Sequence, residues 1–478
     1  MEELIGRKEE REQLREVLLS REASFVAVYG RRRVGKTFLI REFFKHQFFI
    51  EYAGIHDATY RVQLEGFILM MTELTKDKLP SGIPSSWMEA FQLLRHVVTP
   101  RLAKEKVVIF FDEFPWLHTP RSGFGPAFEH FWNSWGSRQP NLIVIICGSA
   151  ASWMIRRVVN NKGGLHNRLT KTIQLFPFTL RETEQYLKSR KIALTRYHVL
   201  QLYMVMGGIP HYLKQVKAGQ SAVQNIDRLC FTRNAILSME FGRLYQSLFD
   251  GAEKHVSIIR ALARKHIGLT RNEIIVACKL RSGGGTTYLL DELEQSGFIT
   301  AYTPFGKTSK DNIYKISDEY SLFYLRFIEP NQDGGPGTWG TIATGASWRS
   351  WSGIAFESIC QKHISAIKTA LGIPAVYTRV SAWRWHSKAG QSGTQIDLLI
   401  DRKDDCINIC EMKFSETEFV IQKSYSTELD TKLRVFKERT ATRKQLFLTM
   451  ITTYGVKENE YKVAQVSNDL TMDALFEG

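Results

Sequence analysis

The run Gly30-Arg31-Arg32-Arg33-Val34-Gly35-Lys36-Thr37 has the spacing G-x-x-x-x-G-K-[ST]. Glycines let a backbone wrap closely around a polyanion, and successive N–H groups leading into a helix N-terminus add positive potential. The chemistry that fits is the binding of a nucleoside triphosphate, with Lys36 reaching the β- and γ-phosphates and the Thr37 hydroxyl offered to Mg2+. The nucleotide-binding set is Gly30, Arg31, Arg32, Arg33, Val34, Gly35, Lys36, Thr37 and Phe38. The three arginines read either as phosphate neutralisers or as exposed loop charges. Downstream, the apolar run Val107–Phe111 ends in Asp112-Glu113. Two carboxylates at the end of a buried strand suit hydrolysis: Asp112 to hold the metal through water, Glu113 to orient and polarise the attacking water. A third apolar run ends in Cys147-Gly148-Ser149, where Ser149 reads as a γ-phosphate sensor or as turn chemistry. Arg168 is a candidate for stabilising transition-state charge.

A second constellation lies near the C-terminal end. Asp397 sits in Thr394–Ile400, and Glu411 and Lys413 sit two apart in Cys406–Phe414, so they share one face of a strand. Two carboxylates and a lysine in this order are what metal-dependent phosphodiester hydrolysis needs. Asp397 and Glu411 would be hard oxygen ligands for Mg2+, and Lys413 would activate water or stabilise developing charge. Glu357, on a preceding helix, adds a further carboxylate. An inactive fold kept for binding is the alternative.

Those residues need elements to hold them. Ser24–Tyr29, Val107–Phe111 and Leu142–Cys147 read as buried strands, and Lys36–Phe44 as the helix after the phosphate loop. Widely spaced strands with helical pattern between them predict a parallel sheet covered on both faces. Leu180 to about Leu248 is helical, punctuated by Gly207-Gly208-Ile209-Pro210. In Gly268–Ile316, Thr270–Glu273 is a capping box, Thr286–Gln295 a second helix, and Phe298–Tyr302 with Ile313–Ile316 two strands around a basic tip. Helix, turn, helix and wing make a winged helix. Asp291, Glu292 and Glu294 on its second helix suit phosphates poorly, so a structural role and a DNA-reading role both stand. Asn331–Gly337 reads as a linker. A helix Ser352–Leu371 and strands Ala375–Trp385, Gln395–Ile400 and Cys406–Phe414 follow. Trp339, Trp348, Trp351, Trp383 and Trp385 read as core, with base stacking the alternative.

With 478 residues the chain is too long for one core. Lysine and arginine number 64 against 49 acids, a net charge of +15, which favours polyanions as partners. No apolar run approaches the roughly 18 residues of a membrane span, and the N-terminus has no signal-peptide pattern. Six cysteines without C-x-x-C spacing argue against a disulfide framework or zinc site. The expected setting is the cytoplasm, with no membrane partner.

The first half resembles the prokaryotic AAA-type ATPases abundant in archaea, a branch related to signalling P-loop ATPases. The matching pieces are Ile5-Gly6-Arg7…Glu10, Gly30–Thr37, Asp112-Glu113, Cys147-Gly148-Ser149, Arg168…Leu175-Phe176-Pro177-Phe178 and Gly207–Leu213. The resemblance implies that Gly6 and Arg7 lie near the adenine and that Gly208 and Pro210 close over the nucleotide. Residues 314–450 resemble the PD-(D/E)xK restriction-endonuclease-like superfamily, with Ile396 where a proline is usual. The expected fold class is therefore multidomain α/β. A P-loop ATPase with helical lid spans 1–250, a winged helix 251–330, a linker 331–347, and an α+β nuclease-like domain 348–478. The expected function is ATP binding and hydrolysis that controls DNA binding or Mg2+-dependent DNA cleavage, or else a nucleotide-gated switch with an inactive nuclease fold. A homo-oligomer is left open.

Overall fold

The computed structural model describes residues 4–76, 84–160, 165, 167–249, 251–385 and 393–477. The chain divides into two compact units, Met1–Phe176 and Pro177–Gly478.

The first unit is built on five strands: β1 (Ser24–Tyr29), β2 (Phe48–Ala53), β3 (Val107–Asp112), β4 (Leu142–Gly148) and β5 (Lys171–Gln174). Their order is β2-β3-β4-β1-β5, and every pairing is parallel. Each residue of β1, β3 and β4 is buried, as expected of central strands covered on both faces. The outer strands β2 and β5 carry half-exposed positions, which is why neither stands out as an apolar run. Helices Tyr60–Thr75, Trp87–Leu102 and Phe124–Ser134 bring an aromatic cluster onto the sheet. Phe91 stacks on Phe131 at 5.1 Å, and Trp87 meets Phe124 edge-on at 4.9 Å.

Parallel strands put all their C-terminal ends on one edge. The loop after β1, the acids at the end of β3 and Ser149 after β4 are brought together there. Gly30 turns the chain out of β1 at φ +149°, and a Cβ on it would lie 2.2 Å from the Leu175 carbonyl oxygen. Gly30→Ala should therefore cost more than about 1 kcal/mol and lower the melting temperature along with nucleotide affinity. An unchanged melting temperature would contradict this packing.

The second unit begins with helices Leu180–Ser189, Arg196–Met206 and Ala222–Cys230. Helices Glu253–Ala263, Arg271–Ala277 and Gly284–Gln295 follow, with a three-stranded sheet ordered β6-β8-β7 from β6 (Leu269–Thr270), β7 (Ile299–Tyr302) and β8 (Ile313–Ile316). The Thr270–Glu273 capping box is present. Two acids of Gly284–Gln295 have internal partners: Glu292 meets His255 Nε2 at 2.9 Å, and Glu294 accepts from the Ala301 N–H at 3.1 Å.

Within 331–347, expected as linker, Thr338–Ile342 is a helix. Asp227 accepts the Gly337 and Trp339 N–H groups at 2.8 Å each, and Trp339 stacks on Phe231 at 5.9 Å. Burying that indole outweighs the turn-forming residues before it. The expected helix Ser352–Leu371 is two helices, Ala346–Lys362 and Ile364–Ala370. The break falls at His363, whose Nε2 accepts the Leu180 N–H at 3.0 Å while Nδ1 bonds the Ile359 carbonyl at 2.8 Å. Burial holds this imidazole neutral, with its pKa pushed down to about 4.

The last sheet, ordered β13-β12-β11-β10-β9, comprises β9 (Thr378–Trp385), β10 (Thr394–Arg402), β11 (Cys406–Lys413), β12 (Gln445–Thr452) and β13 (Asn468–Thr471). The β9–β10 and β10–β11 pairs are antiparallel; β11–β12 and β12–β13 are parallel. Helix Lys423–Thr440 makes the crossover from β11 to β12. Trp339, Trp348, Trp351 and Trp383 are buried, in keeping with core packing. No helix among the described residues is long and apolar enough to cross a membrane.

Candidate functional site

The phosphate loop is a chain of strained or left-handed positions, with Arg33 at φ 71° and Gly35 at φ 92°, that ends where helix Lys36–Phe44 begins. The Lys36 side chain folds back over it. Its Nζ donates to the Gly30 carbonyl at 2.9 Å, the Arg31 carbonyl at 3.0 Å and Ser149 Oγ at 3.0 Å. Thr37 Oγ1 donates to Asp112 Oδ2 at 2.7 Å. Asp112 Oδ1 accepts the Glu113 N–H at 3.0 Å, which helps hold Glu113 at φ 43°. Glu113 in turn accepts the Ser149 hydroxyl at 2.6 Å on Oε1 and the Ser149 N–H at 3.2 Å on Oε2.

Loop, acidic strand and third strand are thus tied into one network. Ser149 is its hub: one hydroxyl oxygen accepts from Lys36 and donates to Glu113. Residue spacing carries no signal for that bridge, because β4 becomes β1's neighbour only through the strand order. Thr37 and Asp112 present hard oxygens 2.7 Å apart, a donor set that fits Mg2+.

Arg7 is buried, and its Nη2 donates to the Val34 carbonyl at 3.0 Å, so it braces the loop from the turn before helix Lys8–Leu19. Arg31 is buried, Arg32 and Arg33 are half-buried, and Phe38 and Arg168 are exposed. Gly208 and Pro210 lie in the second unit. There Gly208 has a local reason to be glycine: at φ +69° a Cβ would stand 2.1 Å from the Phe178 carbonyl oxygen.

The C-terminal constellation is built on the β10–β11 pair. Leu398 pairs with Cys410, which sets Asp397 and Glu411 one step further along neighbouring strands. Glu411 is buried; its Oε1 accepts Lys432 Nζ at 2.9 Å, its Oε2 accepts the Tyr425 hydroxyl at 3.0 Å, and Lys413 Nζ stands 4.0 Å away. Asp397 accepts from Gln395 Nε2. Lys432 and Tyr425 come from helix Lys423–Thr440 and carry no spacing signal relative to Glu411. Among the described residues, no group of three or more His, Cys, Asp or Glu side chains is placed to hold a metal ion.

Glu357 belongs to the same electrostatic cluster. Burial pushes its pKa up to about 8, helped by the charges of Asp397 and Glu411 and opposed by Lys315 and Lys413. The folded chain therefore keeps a proton that the unfolded chain releases near 4.5. That contribution to stability is fully present below about 4.5 and is lost as pH rises towards about 8. Glu357→Gln should flatten the fall in melting temperature across that window; an identical fall in wild type and variant would remove Glu357 as its source.

Residues 4–216 match the family model described as an ATPase domain predominantly from Archaea, and this part of the chain is an ATPase domain of that type. A curated relative, the uncharacterized protein MJECL04 of Methanocaldococcus jannaschii, is 25% identical over 410 residues, covering 84% of this chain and 85% of its own. Among solved structures, the Walker-type ATPase PABY2304 of Pyrococcus abyssi is similar at a TM-score of 0.49 and 20% identity, covering 68% of this chain and 96% of that one. The ORC2 protein of Aeropyrum pernix is similar at a TM-score of 0.43 and 14% identity, covering 72% and 96%.

Proposed function

We propose that this chain hydrolyses ATP at the Gly30–Thr37 loop and uses the nucleotide state to control nucleic-acid binding or metal-dependent phosphodiester cleavage by its C-terminal constellation. The observation that carries the first half is the Lys36–Ser149–Glu113 bridge. Lys36 exchanges its bonds to the Gly30 and Arg31 carbonyls for phosphate oxygens. Ser149, freed from Lys36, senses the γ-phosphate, and Glu113 turns from Ser149 to the attacking water. Thr37 and Asp112 would hold Mg2+, which would supply charge neutralisation at the phosphates.

We read 251–330 as a winged helix and the sheet β9–β13 with Glu357, Asp397, Glu411 and Lys413 as a PD-(D/E)xK-like centre. What supports the second half is that Glu357, Asp397, Glu411 and Lys413 share one electrostatic cluster at β10–β11, where burial first, and the charges of Asp397 and Glu411 after it, raise the Glu357 pKa. Asp397 and Glu411 would be the residues to hold a divalent cation, which would supply charge neutralisation for phosphodiester cleavage. The test is incubation of the full chain with plasmid DNA and Mg2+ or Mn2+, with and without ATP. Cleavage that changes with ATP, and is lost in Glu411→Ala, is expected. Equal cutting by wild type and variant would end the nuclease reading.

One observation favours a binding-only centre: Glu411 is already engaged by Lys432 and Tyr425. ATP-dependent DNA binding with no cleavage under any divalent metal would decide for that switch. Exposed Arg168 supports a homo-oligomer in which a second copy supplies it to the phosphate. Light scattering of ATP-bound Glu113→Gln tests this, and a monomer at all concentrations removes that role.

A further inference from the structure

The wing hairpin is anchored to the last sheet. Between β7 and β8, the Phe305 N–H donates to the Ala382 carbonyl at 2.9 Å on edge strand β9, and the Phe305 ring packs on Phe436 at 5.3 Å. Phe305 thereby joins the apolar cluster of Trp383, Ile396 and Leu399. A cleft of about 400 Å³ runs between hairpin and sheet. Pro304, Lys307 and Lys315 line one wall, Trp383 and Arg384 the other, and Asp397 is part of the lining. Lys315 also lines the adjoining cavity that holds Glu357.

The charges in this cleft are unequal in freedom. Glu273 is bound by the Thr270 N–H and hydroxyl and lies 3.6 Å from Lys265. Asp311 caps Thr308. Lys307 is exposed, and Lys315 Nζ rests 5.7 Å over the Tyr302 ring. Arg384 bonds only the neutral amide of Gln395, at 3.1 Å, among the described residues. Three cations therefore line the cleft while two of its three acids are committed locally.

We infer that this cleft takes one strand of a polynucleotide, its phosphates on Lys307, Lys315 and Arg384, and leads a single nucleotide to Asp397. The volume decides the substrate class. Sites of about 300–1,000 Å³ hold one small ligand, so a nucleotide enters and a base-paired duplex does not unless its strands separate. The anchored hairpin keeps the cleft narrow. This inference rests on the phosphodiester reading only for what happens at Asp397; strand binding stands apart from it.

The test is fluorescence anisotropy of the full chain in EDTA, so that no cleavage intervenes. The probes are a labelled single-stranded DNA, a single-stranded RNA of the same sequence, and a duplex closed by hairpins at both ends. A single strand should bind at least ~10-fold more tightly than the closed duplex, and the DNA and RNA arms identify which strand. Lys307→Ala with Lys315→Ala should weaken single-strand binding about tenfold, each lost contact taking about 0.7 off the slope of log affinity against log salt. Lys437→Ala, on the exposed face of Lys423–Thr440, is the control. Equal affinity for the closed duplex, or cleft variants no weaker than Lys437→Ala, overturns the inference. Intact strand binding in the cleft variants with cleavage lost in Glu411→Ala would sink the cleft and leave the hydrolytic reading standing; the reverse pattern would do the opposite.

Discussion

Replacing Glu113 with glutamine leaves ATP bound and lowers turnover by about 100- to 10,000-fold. Glutamine keeps the volume and still bonds Ser149, so the left-handed turn at φ 43° and the Asp112 contact to its N–H survive. What disappears is the charge that polarises water. Binding of a fluorescent ATP analogue should match wild type while phosphate release collapses. Turnover within ~3-fold of wild type would move the catalytic base elsewhere.

The second large effect is at Glu411. Glu411→Gln should abolish metal-dependent cleavage and cost about 1–3 kcal/mol of stability, because Lys432 and Tyr425 both lean on this carboxylate. Lys432 keeps Glu428 at 3.2 Å, so the second unit should still fold. The two effects separate the readings. Lower stability with unchanged cleavage makes Glu411 a structural acceptor only. Loss of cleavage with binding of the strand retained places it in the chemistry.

The phosphate-binding elements were legible because they combine a motif with buried strands that have no choice of environment. Val107–Phe111 and Leu142–Cys147 are continuous apolar runs, and both are central strands. Edge strand β2 was not legible, since half-exposed Phe48–Ala53 gives no clean period. The Asn331–Gly337 turn residues were visible, but the buried indole of Trp339 three residues before Ile342 decides that segment. His363 broke a helix that lacks any glycine or proline at the break, through a bond to Leu180 that is remote in sequence. Lys432, Tyr425 and Lys315 reach the acidic cluster from other elements, and only the packing of those elements brings them there.

Phosphate release by the purified full chain with Mg2+ and ATP, measured beside Lys36→Ala, tests the central claim most directly. Lys36 touches the loop carbonyls and Ser149 together. Its loss should lower release by about 100- to 1,000-fold with the melting temperature of the second unit unchanged. Wild-type protein that binds ATP and releases no phosphate, or a Lys36→Ala variant as fast as wild type, would contradict hydrolysis at this loop.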